Sequence, residues 1–325
     1  MSNHFSIQWV QMKSREIGWL SIKDQTQGSL LFRTNNGAEQ WKAITPSGIQ
    51  IKSTFPFGKH IAWIYGMNEK AVVLHTTNGG ERWEQYEVPI SEEWEKQGSV
   101  KVRMEFINAT HGWLLVTGKG ENQQSLYHTE NSGKSWRPLR STSLPSNISG
   151  MKFVSKKNGW ITLHDELARN LVYRTMDGGV SWQQVRFFTL DRPGMYYARK
   201  PLFIDNLLII PIEESIGGIY RIMIYSSPDL GRTWKVSRMI PSKQGVSLSF
   251  SSLHCGWIVD GEMGVLYRSK QRMQKWDLWE YDEKLKGARG LHFYSVTEGW
   301  ACTNKALLYT KNGGKTWRTK KLPIM

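Results

Sequence analysis

One pattern constrains this chain more than any other: Ser/Thr-x-Asp/Asn-x-Gly-x-x-Trp returns along its whole length. Good copies are Thr76-Thr-Asn78-Gly-Gly80-Glu-Arg-Trp83, Thr129-Glu-Asn131-Ser-Gly133-Lys-Ser-Trp136, Thr175-Met-Asp177-Gly-Gly179-Val-Ser-Trp182, Ser227-Pro-Asp229-Leu-Gly231-Arg-Thr-Trp234 and Thr310-Lys-Asn312-Gly-Gly314-Lys-Thr-Trp317. Two decayed copies, Thr34-Asn-Asn36-Gly-Ala38-Glu-Gln-Trp41 and Ser269-Lys-Gln271-Arg-Met273-Gln-Lys-Trp276, complete a series of seven. Successive box tryptophans are 42, 53, 46, 52, 42 and 41 residues apart. The box has a local logic. Its Ser/Thr and Asp/Asn side chains bond nearby backbone groups to hold a tight turn, its glycine takes positive φ without a Cβ penalty, and its tryptophan packs inward. A calcium loop is the weaker reading, because three of the five good boxes carry Asn and no downstream acid offers bidentate ligation.

A second landmark runs in phase with the first. Gly-Trp or Ala-Trp occurs at Trp19, Trp63, Trp113, Trp160, Trp257 and Trp300, and only the fifth repeat lacks it, reading Asn206-Leu-Leu-Ile-Ile there. Phenylalanine stands seven residues earlier in four repeats, as Phe106, Phe153, Phe250 and Phe293. A third apolar segment enters each box, as in Leu126-Tyr-His-Thr129, and a short one follows the box tryptophan. Segments that alternate or run as short β-branched and aromatic blocks are strands, and none shows the three-to-four spacing of a helical repeat. Four short strands per unit and seven units predict an all-β chain: a seven-bladed β-propeller of four-stranded antiparallel blades. The expected blades span approximately 1–46, 47–88, 89–140, 141–190, 191–240, 241–284 and 285–325, in a single domain. A strand from each terminus is one way to close the ring, and the phase of closure is not readable.

Composition narrows the class. Sixteen tryptophans in 325 residues exclude a disordered chain. The longest apolar stretch, Leu202 to Ile212, is interrupted by Asp205 and Asn206 and is shorter than the ~20 residues of a membrane-spanning helix. Cys255 and Cys302 are too few for a disulfide framework and have no metal-binding spacing, so both are expected as buried thiols, with no metal and no cofactor. Met1-Ser-Asn-His-Phe5 leads into alternating residues with neither a basic nor an apolar leader region, which makes a cytoplasmic protein the default expectation.

The boxes resemble those of the Asp-box, or BNR, repeat superfamily of propellers. Their combination with Gly-Trp looks most like the Ycf48 type, known in photosynthetic organisms as photosystem II assembly factors. The resemblance covers essentially the whole chain and implies Asp-box turns between the third and fourth strands of each blade. It implies function less sharply, because sialidases, xyloglucan-active hydrolases and sortilin-type receptors share the box. It also implies that the loops joining second to third strands, with the blade-to-blade connections, form the ligand face. Such proteins are often exported, in tension with the absent leader.

Candidate functional residues follow. The two largest spacings precede Trp136 and Trp234, and insertions in repeat proteins concentrate on one, often functional, face. The insertion 186–200 carries Phe187, Phe188, Asp191, Arg192, Tyr196, Tyr197, Arg199 and Lys200, whose rings and cations suit a sugar or a protein partner. The other, from Pro89 to Gly98, holds Trp94 among Glu92, Glu93 and Glu95 and reads as a short surface helix. A glycoside hydrolase needs two facing carboxyls, and Asp165, Glu166, Glu213, Glu214, Asp260 and Glu262 fall in loops where such a pair could form. No spacing selects a pair, and the arginine cluster of a sialidase is absent, so no catalytic residue is assigned. His75 and His128 precede box residues and read as structural.

Charge is uneven. The chain carries +15 overall, and while the first four boxes are close to neutral, the last three hold most of the box charge. Lys315, Arg318 and Lys320, with Lys311, Lys321, Lys270, Arg272 and Lys275 nearby, predict a basic rim on the last blades. The leading expectation is therefore a non-enzymatic, monomeric scaffold binding a protein partner with an acidic surface. A membrane surface or a glycan are the alternatives, the latter through a glycan-active or glycan-binding propeller. Nucleic acid is not expected, since no reading module is visible.

Overall fold

The computed structural model describes residues 5–90, 101–118, 123–141, 144–165, 171–186, 194–243, 245–270 and 272–323. Blade A is β1 (Phe5–Met12), β2 (Gly18–Asp24), β3 (Gly28–Thr34) and β4 (Lys42–Ala43); blade B is β5 (Gln50–Pro56), β6 (Ala62–Met67), β7 (Ala71–Thr76) and β8 (Glu84–Glu87). Blade C is β9 (Lys101–Phe106), β10 (Gly112–Thr117), β11 (Gln124–Thr129) and β12 (Arg137–Leu139). Blade D is β13 (Ile148–Phe153), β14 (Gly159–Asp165), β15 (Val172–Thr175) and β16 (Gln183–Gln184). An extra strand, β17 (Met195–Ala198), joins it to blade E, which is β18 (Leu202–Ile204), β19 (Leu207–Ile216), β20 (Ile219–Ser227) and β21 (Lys235–Val236), followed by β22 (Ile240–Ser242). Blade F is β23 (Ser247–Ser252), β24 (Cys255–Asp260), β25 (Val265–Lys270) and β26 (Lys275–Tyr281), and a 3-10 turn at Glu283–Leu285 leads to blade G: β27 (Gly290–Phe293), β28 (Gly299–Cys302), β29 (Leu307–Thr310) and β30 (Arg318–Lys320). All pairings are antiparallel, and the seven four-stranded blades form the propeller that the repeat predicts.

Each good box forms the same turn. In blade B the Thr76 hydroxyl donates to Asn78 Oδ1 (2.9 Å) and accepts the Gly80 N–H (2.9 Å), while Asn78 Oδ1 accepts the Arg82 N–H (3.0 Å). Thr175-Asp177 and Thr310-Asn312 repeat this set within about 0.1 Å. The glycine position requires positive φ, and the decayed boxes hold it with Ala38 at 63° and Met273 at 69°. In blade F the decay has a visible effect. Trp276 pairs with Ser269 inside β26, whereas the other box tryptophans immediately precede their outer strands.

The Gly-Trp and phenylalanine landmarks prove to be one device acting between blades. Trp63 of blade B stacks on Phe106 of blade C (centroids 3.7 Å, 9°), Trp113 on Phe153 (3.8 Å, 1°) and Trp257 on Phe293 (3.8 Å, 5°). Each phenylalanine then meets its own box tryptophan edge-on, as in Phe106 with Trp136 (6.0 Å, 78°). The glycine before the tryptophan makes room for the ring: a Cβ at Gly112 would lie 2.4 Å from Phe106 Cδ1, and one at Gly299 2.4 Å from Phe293 Cδ1. Where Ala62 replaces glycine, Pro56 replaces the phenylalanine. The tryptophan N–H completes the joint by donating to the next blade's box turn, from Trp63 to Ser132 O (2.7 Å), Trp113 to Gly178 O (2.9 Å) and Trp257 to Gly313 O (3.1 Å).

Two joints differ. Blade E lacks the landmarks, and its long hairpin β19–β20 takes two partners on each edge: β17 and β18 along β19, β21 and β22 along β20. Ring closure exchanges no strand, because all four strands of blades A and G come from their own repeats. It rests on packing and cross-joint hydrogen bonds instead: Ile7, Val10 and Met12 share a core with Trp300, Cys302 and Leu307. The Ile7 N–H donates to Asn304 O (2.9 Å) and His292 Nε2 donates to Met12 O (2.6 Å).

Candidate functional site

The inner strands of all seven blades surround a central channel of about 830 Å³. Strand alternation decides what faces it. The residue before each landmark phenylalanine points inward, placing Glu105, Lys152, Ser249 and His292 in the lining with Gln11 and Phe55 from blades A and B. Glu105, 1% exposed, accepts from Lys152 Nζ at Oε1 (2.5 Å) and from Lys200 Nζ at Oε2 (2.7 Å). Lys200 arrives from the D–E connection, not from an inner strand. Its backbone crosses directly over Gly150, where a Cβ would stand 2.5 Å from Lys200 Cα, so only glycine allows this approach. Arg103 donates from Nε to Ser149 O (3.1 Å).

The channel is strongly basic. Lys13, Arg103, Lys152, Lys200 and Arg289 line it, and Glu105 is the one carboxylate among the described lining residues. Burial lowers the Lys13 ammonium to about 8, with repulsion from Lys152 adding to the effect. Burial also lowers the Arg103 guanidinium. His292 is lowered to about 4, chiefly by burial, against the opposing bond to Met12 O, so its ring is neutral at pH 7. A cavity with this balance attracts anionic groups, and its low-dielectric walls strengthen the attraction.

The residues expected from sequence are dispersed. Arg192, Phe187, Phe188 and Asp191 lie outside the described residues, as do Glu166 and the segment around Trp94. Tyr196 is buried and donates to Glu214 Oε1 (3.1 Å), and Tyr197 pairs with His164 across β14 and β17. Arg199 grips Glu213 through Nε and a terminal nitrogen (both 2.8 Å), and Lys200 alone of this group reaches the channel. On the rim, Lys315 sits over the Trp279 ring (5.5 Å), Lys320 contacts Glu39 of blade A, and Arg318 is exposed. Lys270 and Lys275 both approach Asp277, which partly neutralises that sector. His75 stacks on Trp63 (4.9 Å) and His128 packs on Trp113 (4.9 Å).

Two of the candidate carboxylates, Glu213 and Asp260, are buried. Burial raises the Glu213 carboxyl, Arg199 opposes the shift, and the nearby Asp260 charge adds to it. Asp260 is 1% exposed and accepts the N–H groups of Lys243 (2.6 Å), Glu262 (3.1 Å) and Met263 (3.1 Å). Both acids are therefore occupied, one by an arginine and one by a loop backbone. Among the described residues, no group of three or more His, Cys, Asp or Glu side chains is placed to hold a metal ion.

Sequence reasoning missed Lys13, Arg103, Glu105, Lys152 and His292. Three of them carried a usable signal, since Glu105, Lys152 and His292 each precede a landmark phenylalanine and so face the axis.

No family model matches this chain. It is 23% identical over 269 residues to the chloroplastic photosystem II stability/assembly factor HCF136 of Arabidopsis thaliana, covering 78% of this chain and 64% of that protein. The chain thus spans slightly less than two thirds of that relative. The solved structure of YCF48 bound to D1 peptide superposes with a TM-score of 0.63 at 19% identity, over 96% of this chain and 93% of that one. A GH74 enzyme from Niastella koreensis superposes with a TM-score of 0.66 at 13% identity, over 97% of this chain and 54% of that one. This chain is a seven-bladed propeller with the fold of YCF48 and a sequence similar to that of a photosystem II stability/assembly factor.

Proposed function

We propose that this propeller binds an acidic segment of a protein partner at its central channel and acts as a scaffold without catalysing a reaction. The observation that carries the reading is the convergence of five cations on a channel with one described carboxylate. The likeness to YCF48, whose structure holds a D1 peptide, supports a protein as the ligand. Lys152 and Lys200 sit on either side of Glu105, so an incoming carboxylate would share cations already held in place. The basic rim of Lys315, Arg318 and Lys320 remains the rival contact.

The test is anisotropy of a fluorescein-labelled Glu-Gly repeat peptide with the full chain. Changing Lys152 and Lys200 to Gln should weaken binding by about ten-fold or more, the scale of one or two charge-assisted bonds, and flatten its salt dependence. Changing Lys315, Arg318 and Lys320 to Gln should have the smaller effect. Equal losses in the two variants, or binding insensitive to salt, would refute the channel as the site.

A glycan-active propeller is the second reading, favoured by the raised Glu213 carboxyl beside Asp260. It requires Arg199 to leave Glu213 when substrate enters. Turnover of xyloglucan that disappears in Glu213→Gln would establish it.

A further inference from the structure

The D–E joint carries a cleft with a different chemistry. At three other joints the landmark tryptophan donates its N–H to the next blade's box turn, but Trp160 Nε1 is buried and makes no hydrogen bond. No landmark phenylalanine stacks there, because blade E has none. Between the outer parts of blades D and E lies a cavity of about 520 Å³, within the size range of small-molecule sites. Arg174 and Arg186 of blade D and Arg232 and Lys235 of blade E line it, and no acid occurs among its described lining residues. Trp234 and Val236 supply an apolar wall.

Arg174 is fixed by its position over the Trp160 ring (5.8 Å) and by a bond to Asn158 Oδ1 (3.4 Å), yet its Nε is buried without a partner. Its guanidinium is lowered first by burial and then by the Arg232 charge, so a second cation lies near it. The neighbouring acid, Asp229, opposes this at Arg174 and offsets only part of the local positive charge. Its oxygens are taken by the Ser227 hydroxyl (2.8 Å), the Thr233 hydroxyl (2.6 Å) and the N–H groups of Arg232 (3.1 Å) and Thr233 (2.8 Å) of its own box.

We infer that this cleft is a binding site for a phosphate monoester whose apolar or aromatic body lies against Trp234 and Val236. A phosphate monoester carries a charge near −2 at pH 7 and offers three acceptor oxygens, which matches several converging cations better than a single carboxylate does. Arginine forks suit its tetrahedral oxygens. The site is separate from the channel, sharing no lining residue with it.

Calorimetry with phenyl phosphate on the full chain is the test. Saturable binding is expected, with benzoate, a monoanion of similar body, about ten-fold weaker. Arg232→Gln, an exposed position, should weaken phenyl phosphate by about ten-fold or more, as expected for a lost charge-assisted bond. Lys315→Gln removes the same charge from the rim and should change nothing. Arg174→Gln should act like Arg232→Gln, with its melting temperature measured alongside because it also packs on Trp160. Co-sedimentation with phosphatidylcholine vesicles doped with phosphatidic acid identifies the source of the phosphate. Vesicle binding lost in Arg232→Gln supports a lipid headgroup, and phenyl phosphate binding without it supports a soluble ester. No saturable heat, or equal affinities in Arg232→Gln and Lys315→Gln, would overturn the inference.

Discussion

Replacing Gly112 by alanine tests whether the aromatic joint between blades governs stability. The new Cβ would lie 2.4, 2.5 and 2.8 Å from Cδ1, Cε1 and Cγ of Phe106, whereas carbon atoms rest about 3.5–4.0 Å apart. The ring must therefore move by about 1 Å, away from its 3.7 Å stack on Trp63. Overpacking of this kind costs about 1–3 kcal/mol, and loss of the stack adds about 0.5–1.5 kcal/mol. Phe106→Ala alone empties an aromatic site at about 3–5 kcal/mol. In the double variant the clash has no partner, so its total should fall about 2–3 kcal/mol short of the sum of the single changes. Gly58→Ala is the control, because nothing lies within 4 Å of its Cβ position and its φ is not positive. The assay is chemical denaturation followed by tryptophan fluorescence. Costs in the double variant that add to within about 0.5 kcal/mol would refute the mechanism.

Further outcomes follow from the same geometry. Trp182→Ala should cost about 3–5 kcal/mol, and its effect on peptide binding should follow that loss of stability, measured by comparing melts with affinities. Glu105→Gln strips Lys152 and Lys200 of their carboxylate; it should lower stability by roughly 1–3 kcal/mol while tightening an acidic peptide, and weaker binding would count against the channel site. For His292, the folded ring at about 4 lies below the usual 6.5, so the unfolded chain binds the extra proton first. Stability should be full above pH 6.5 and fall toward pH 4, by on the order of 2–3 kcal/mol. His292→Gln should flatten that part of the profile, and an unchanged slope between pH 6.5 and 4 would show that the A–G closure is not the acid-sensitive joint.

The blades were legible because their determinants are local. Each box turn is closed by side chains within four residues of one another, and each strand's inward face repeats every second residue, so copies of Thr-x-Asn-x-Gly-x-x-Trp announce their structure wherever they stand. The Gly-Trp and phenylalanine landmarks were visible too, although their meaning was not: Trp63 meets a ring that is 43 residues later, and only the assembled ring brings them together. The same holds for the channel. Lys200 reaches a carboxylate 95 residues earlier, Lys152 one 47 residues earlier, and His292 bonds a carbonyl 280 residues away.

By itself, the sequence determined the number of blades, their turns and the inward packing of the box tryptophans, since these depend on contacts within one repeat. Tertiary structure decided how the ring closes, how the longer fifth repeat is accommodated through β17 and the β19–β20 hairpin, and which charges gather at the axis. The channel gathers residues from all seven blades and from the D–E connection, so its charge depends on side chains far apart in sequence, and no local pattern records which of them will be neighbours.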